Sequence, residues 1–331
     1  MLRLWHHGLL AVALVGPAPA AQPGPKPFDP VITSLTLFAG NTAGLWRSSD
    51  WGGSWEQVAH EGLEELGTVR DVVATGSTVY VAGDGGLYVS TDFGSNWLRY
   101  ANLAGARSLL TSRYLVVDPT IFIGTASGLF RSRDGGWTFQ PTPLKAVVGR
   151  MEWPGPALVV ATDGGVRVSR DSGETFVSPE GGLPAGAVHS LAVSSFFVKD
   201  PVAFAGVGSA GVFRSSDGGR TWTTVGLAGR RVNDLVWMGP LLYAATDLGL
   251  FRSQDAGAHW TPMGEGLTGL ELERLLFPLA PDSAAEAFVA TRAGIYRTVD
   301  GGLRWRLSGL KAQHVQVLAT FPAPSQAPVQ R

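Results

Sequence analysis

Phe213–Trp222 reads F-R-S-S-D-G-G-R-T-W, and the part from Ser215 to Trp222 recurs six times. The other copies are Ser48–Trp55, Ser90–Trp97, Ser132–Phe139, Ser169–Phe176, Ser253–Trp260 and Thr298–Trp305. Each reads S/T-x-D-x-G-x-x-W/F. Their aspartates, Asp50, Asp92, Asp134, Asp171, Asp217, Asp255 and Asp300, are spaced by 42, 42, 37, 46, 38 and 45 residues. Self-similarity at this period predicts a propeller or a solenoid.

The runs before each aspartate read as strands. Thr78–Gly83 (TVYVAG) with Leu87–Ser90 (LYVS) is one pair, and Leu241–Ala245 with Leu250–Ser253 is another. They are short, rich in β-branched and aromatic residues, and bounded by glycine. The aspartate carboxylate can accept backbone N–H bonds within its own turn, and the glycine two residues on supplies positive φ. The Ser/Thr hydroxyl adds a local bond. The closing aromatic starts the next strand and covers the turn, its burial contributing roughly 2–3 kcal/mol.

The seven copies resemble the Asp-box, or BNR, repeat of β-propellers. That pattern occurs in sialidases, in some glycosidases, in sortilin-like receptors and in photosystem II assembly/stability-factor-like propellers, whose overall pattern this chain resembles most. The resemblance spans residues 34–321. It implies that the seven aspartates lock turns and catalyse nothing. It also implies that Trp55, Trp97, Trp222, Trp260 and Trp305 cover those turns and form no sugar platform.

Strand counting predicts an all-β, seven-bladed propeller of four-stranded antiparallel blades. In blade 2, strand A covers about Thr68–Ala74, B Thr78–Gly83 and C Leu87–Thr91, and D starts near Asn96. Ser34–Gly40 aligns with the B strands, so blade 1 lacks its A strand in the expected place. His314–Thr320 (HVQVLAT) supplies it from the other end of the chain and closes the ring, which removes exposed edges.

Residues 1–20 read as a signal peptide: Arg3, an apolar Gly8–Gly16, then Ala18-Pro19-Ala20. Residues 21–33 read as a Pro-rich linker and 322–331 as a flexible tail. An exported protein is expected, periplasmic or extracellular, or in the thylakoid lumen of a photosynthetic source. There is no cysteine, hence no disulfide framework or thiolate metal site. The histidines show no metal spacing, and no cofactor is expected. Charged residues are 16% and the net charge is −1, which argues against nucleic acid as a partner. No segment of the mature chain reads as a membrane span. Arg47, Arg131, Arg214, Arg252 and Arg297 precede a box Ser/Thr and are expected to line strand C.

The boxes occupy C–D turns, so the opposite face, where D–A and B–C loops meet the channel mouth, is the place for a site. Aligned A strands give two mostly polar columns there. The first holds Gln316, Arg70, Arg107, Gly149, His189, Asn233 and Glu273. The second holds Val317, Asp71, Ser108, Arg150, Ser190, Asp234 and Arg274. Arg231 precedes one A strand, and Asp84, Asp163, Asp247 and Arg292 lie in B–C turns. One reading is inter-blade bonding around a wet channel. The other is a binding ring of Arg70, Asp71, Arg107, Arg150, His189, Arg231, Asn233, Asp234, Glu273 and Arg274, whose arginines favour anionic or peptide groups.

Resemblance to sialidases stops at the box, with no Arg-Ile-Pro-type motif near the N-terminus. A two-carboxylate glycosidase would draw on Asp71, Asp234, Glu152 or Glu273. The expectation is a non-enzymatic scaffold for a protein or peptide partner. The alternative is a carbohydrate-active hydrolase.

Overall fold

The computed structural model describes residues 36–321, apart from 60–61, 76, 102, 104, 113–117, 155–156, 195–198, 239 and 278–285. The expected signal peptide, the linker and the tail lie outside the described residues. Strands form seven antiparallel sheets with the order A-B-C-D from the axis outward. The described residues contain no α-helix, so none is long and apolar enough to cross a membrane.

The A strands are Val69–Thr75, Ala106–Thr111, Val148–Glu152, Val188–Val193, Val232–Met238 and Leu272–Leu276 for blades 2 to 7. Blade 1 takes its A strand from Val315–Phe321, which pairs antiparallel with Thr36–Asn41. Each A strand touches the next, and the last touches the first, so the ring is closed as the sequence predicts. B strands such as Ile121–Thr125 and Ala203–Val207 are buried at every position. They are covered on both faces, which explains their unbroken apolar runs. The core is divided into seven apolar clusters, one at each junction between blades.

Six blades have four strands, and blade 4 departs from them at its outer edge. Its sheet has three, Val148–Glu152, Leu158–Thr162 and Gly165–Ser169. The fourth is reduced to one bridge between Val168 and Val177. Pro179, two residues on, cannot donate to a ladder, and outer edge strands tolerate such interruption.

The boxes act as turn locks. In blade 1, Ser48 Oγ donates to Asp50 Oδ1 at 2.8 Å, and Gly52 N donates to Ser48 Oγ at 2.8 Å. Ser54 N and Oγ then donate to the same carboxylate at 2.8 and 2.7 Å. Hydrogen bonds from the residue four positions on hold Asp50, Asp134, Asp171 and Asp255 at about 2. Burial pushes Asp217 upward, but the same donors prevail and it also lies at about 2. All seven carboxylates bond within their own turns and do not converge.

Two features exceed the expectation. Positive φ occurs at two successive positions, and the first is borne by Trp51, Phe93, Ser172 and Ala256 in four boxes. The box glycine is also a socket for the preceding blade. A Cβ on Gly94 would lie 2.9 Å from Phe38 Cζ, and one on Gly52 would lie 2.8 Å from Phe288 Cε1. The Trp covers divide: Trp97, Trp222 and Trp305 donate Nε1 to their own turns, whereas Trp260 donates to Val225 O of the preceding blade. The arginine row sits on strand C as expected. Each member is paired across from a strand-B aromatic, as Arg131 is with Phe122 and Arg297 with Phe288.

Candidate functional site

The channel is lined by A strands, and their local irregularity decides what it presents. Every A strand slips register against its B strand at one place. In blade 2, Val69 pairs with Gly83 and Asp71 with Ala82, which leaves Arg70 as an extra residue. The same slip leaves Arg107, His189, Asn233, Glu273 and Gln316 extra in blades 3, 5, 6, 7 and 1. In blade 4 it spans Gly149 and Arg150. A bulge re-aims side chains and breaks the alternation of faces. Consecutive residues therefore both reach the lumen: Arg70 with Asp71, Arg107 with Ser108, and Gln316 with Val317 line one narrow neck of about 150 Å³.

The predicted ring thus separates into two layers. Arg70, Arg107, His189, Arg231, Asn233 and Glu273 line an outer bowl of about 590 Å³ at the mouth. Asp71, Arg150, Asp234 and Arg274 form a waist beneath it and line a further chamber of about 340 Å³.

The mouth is mixed in charge and largely self-paired. Arg70 Nε donates to Asp84 Oδ1 at 2.9 Å. Arg231 pairs with Glu271, and Arg292 Nε lies 2.7 Å from Glu271 Oε2. His314 Nε2 lies 2.8 Å from Glu273 Oε1, and Asn233 Nδ2 donates to Leu272 O at 2.8 Å. Arg107 is exposed and has no hydrogen-bond or ion-pair partner among the described residues. Partial burial and the nearby Arg231 charge hold the His189 imidazole below its ordinary range. Glu271 and His314 also line the mouth, although they flank the A strands and lie outside the two polar columns.

The waist is different. Asp71 Oδ2 accepts Leu109 N at 2.9 Å, and its Oδ1 accepts Val72 N at 3.0 Å and Arg274 Nη2 at 3.2 Å. Asp234 Oδ2 accepts Leu275 N at 2.9 Å, and Oδ1 accepts Arg150 Nη2 at 3.4 Å. Burial pushes the Asp71 carboxyl up, opposed by Arg150. Burial likewise pushes Asp234 up to about 6, again opposed by Arg150. No group of His, Asp and Glu that could hold a metal occurs among the described residues.

A family model, the BNR-Asp box repeat, matches residues 45–58, the first box and its flanking strands. The chain carries the BNR-Asp box repeat. Six more copies with the same bonding follow it round the ring. No curated protein sequence matches the chain. Among solved structures, this Asp-box propeller is similar to YCF48 from Cyanidioschyzon merolae, with 15% identity and a TM-score of 0.59, over 76% of this chain and 87% of that one. A structure of YCF48 bound to D1 peptide is 18% identical with a TM-score of 0.60, over 79% and 88%. An ancestral GH74 enzyme is 19% identical with a TM-score of 0.58, over 72% of this chain but 38% of that one. The chain therefore spans well under half of the GH74 enzyme. At these identities the likeness establishes the fold.

Proposed function

We propose that this Asp-box propeller is an exported, non-catalytic scaffold that holds a protein or peptide segment at the channel mouth. The observation that carries the reading is the wide bowl of about 590 Å³ with charges of both signs and an unpartnered Arg107. An extended peptide offers carbonyls, amides and side chains of both signs, and such a rim complements all of them. A guanidinium without an internal partner is the natural anchor for a carboxylate or carbonyl. A propeller of the same fold, YCF48, has been solved with D1 peptide bound, which supports a peptide as the class of ligand. The apolar stretch and small-residue site within residues 1–20 support export to a periplasmic, extracellular or lumenal space.

One observation favours a glycosidase as the second reading. Asp71 and Asp234 line one chamber and are both pushed upward, as a general acid would be. The geometry weighs against them. Both carboxylates are nearly inaccessible, and every oxygen already accepts a backbone or arginine N–H.

The two readings separate by experiment. Tagged chain is used to capture partners from a periplasmic or secreted extract, beside a variant with Arg70, Arg107 and Arg231 changed to Gln. A defined protein retained by wild type and lost by the variant is expected. An identical captured set would sink the mouth. Release of aryl from aryl glycosides, abolished by Asp71→Asn or Asp234→Asn, would establish the enzyme instead.

A further inference from the structure

Below the mouth, four charged side chains from four blades meet across the channel. Each carboxylate of the waist is saturated, with backbone N–H groups on it as well as an arginine. The arginines are not. Arg150 and Arg274 each give one Nη2 contact, at 3.4 and 3.2 Å, although a guanidinium carries five N–H donors. Neither side chain is sealed off: 25% of Arg150 and 16% of Arg274 remain accessible, and both face the chamber of about 340 Å³. Two guanidiniums with spare donors therefore border one space, whose wall includes Leu191, Leu235 and Trp237.

We propose that this chamber is a second ligand site that takes a small monocarboxylate, with its head between Arg150 and Arg274 and its apolar body against Leu191, Leu235 and Trp237. The volume falls at the lower end of small-ligand pockets, which run from about 300 Å³. Paired guanidiniums select a planar, two-oxygen acceptor. Glu152 also lines the chamber, so a second negative charge on the ligand is disfavoured. The charged groups of the chamber are Asp71, Arg150, Glu152, Asp234 and Arg274, and the four of the waist balance when all are ionised. An entering anion upsets that balance, and Asp234, which also faces the Asp71 charge, takes up the compensating proton. Binding of the anion and uptake of one proton are linked.

The test is calorimetric titration of benzoate into the full chain, with isophthalate as the dianion. Saturable one-to-one binding of benzoate is expected, about tenfold tighter near pH 5.5 than near pH 7.5 through the linked proton. Isophthalate should bind about tenfold more weakly, a difference of about 1.4 kcal/mol. Arg150→Gln and Arg274→Gln should each abolish binding, and Arg107→Gln at the mouth should leave it intact. The proposal is overturned by absence of saturable binding to wild type at either pH. It is also overturned by affinity that survives in folded Arg150→Gln and Arg274→Gln chains, or by loss confined to Arg107→Gln. The mouth reading stands or falls separately, because only its own variants alter partner capture.

Discussion

Asp71 Oδ2 accepts the backbone N–H of Leu109, one blade further round the ring, at 2.9 Å. Asp234 repeats the bond to Leu275, again one blade on, at 2.9 Å. A buried carboxylate thus stitches neighbouring A strands together at two of the seven junctions, while its other oxygen is tied across the lumen by an arginine.

That arrangement sets an unusual dependence of stability on pH. Asp234 has a folded value of about 6 against an ordinary 3.8, so its protonated form is the one the fold favours. Its stabilising contribution is complete below about pH 4 and is lost as pH rises through 6, to the extent of about 3 kcal/mol. The box aspartates have the opposite sign. Asp134 lies at about 2, so its contribution is present above pH 3.8 and is lost as pH falls toward 2. Urea midpoints measured along a pH series should decline between pH 4 and 6 in wild type. Asp234→Asn should shrink that limb, to which the buried Asp71 also contributes, and Asp134→Asn should reduce the loss below pH 4. A wild-type profile without the upper limb would contradict the burial of Asp234.

The box glycine has two demands on it, and they can be measured separately. Gly94 has φ of +81° and receives the fully buried Phe38 of blade 1. Gly135, one position earlier in its own box, meets only the first demand, with φ of +77° and nothing near the place a Cβ would occupy. Gly135→Ala should cost roughly 1–2 kcal/mol, the strain of a left-handed residue. Gly94→Ala should cost about 1–3 kcal/mol more, because Phe38 must leave its rotamer or the turn must shift. Equal midpoints for the two variants would mean that the socket contributes nothing.

The boxes were legible because seven copies of one pattern average out local noise, and the closing strand because blade 1 lacked an A strand where the period required one. The two layers of the channel were not. Arg70 and Asp71 are adjacent in sequence, and ordinary alternation would send them to opposite faces. Only the slip between Val69–Gly83 and Asp71–Ala82 turns both inward, and that slip is a property of pairing. The signal in the sequence was two polar positions in succession before an apolar pair, repeated blade after blade. The Phe38–Gly94 socket was hidden for a similar reason, since it joins residues of different blades. The missing outer strand of blade 4 could have been suspected from Pro179, but Pro141 and Pro262 sit within outer strands that do form.

Ser172 offers a stabilising change. It holds φ of 55° at the position where Gly135, Gly218 and Gly301 stand in other boxes. Its carbonyl accepts Arg131 Nη1 at 2.6 Å, a bond that belongs to the backbone and survives loss of the side chain. Ser172→Gly should relieve strain of about 1–2 kcal/mol and lose part of it to unfolded-chain entropy, for a net gain of about 0.5–1 kcal/mol. Thermal melts would show this as a rise of a few degrees. A lower melting temperature would mean that the Ser172 side chain has a role its contacts do not reveal.

The closing strand should be indispensable to the whole ring. Val315 and Leu318 belong to the cluster shared by blades 7 and 1, and Val317 and Ala319 to the one shared by blades 1 and 2. Removing residues 313–331 therefore opens two junctions at once and bares the edge of Thr36–Asn41. Losing the burial of Val315, Val317 and Leu318 alone costs roughly 5–9 kcal/mol, comparable to the whole stability of an ordinary domain. The shortened chain should lose its cooperative melt, and a peptide of residues 313–331 added in trans should restore it. Because the peptide supplies a strand and no reactive group, recovery would locate the defect in ring closure. An unchanged melt in the shortened chain would mean that the ring is held by its other junctions.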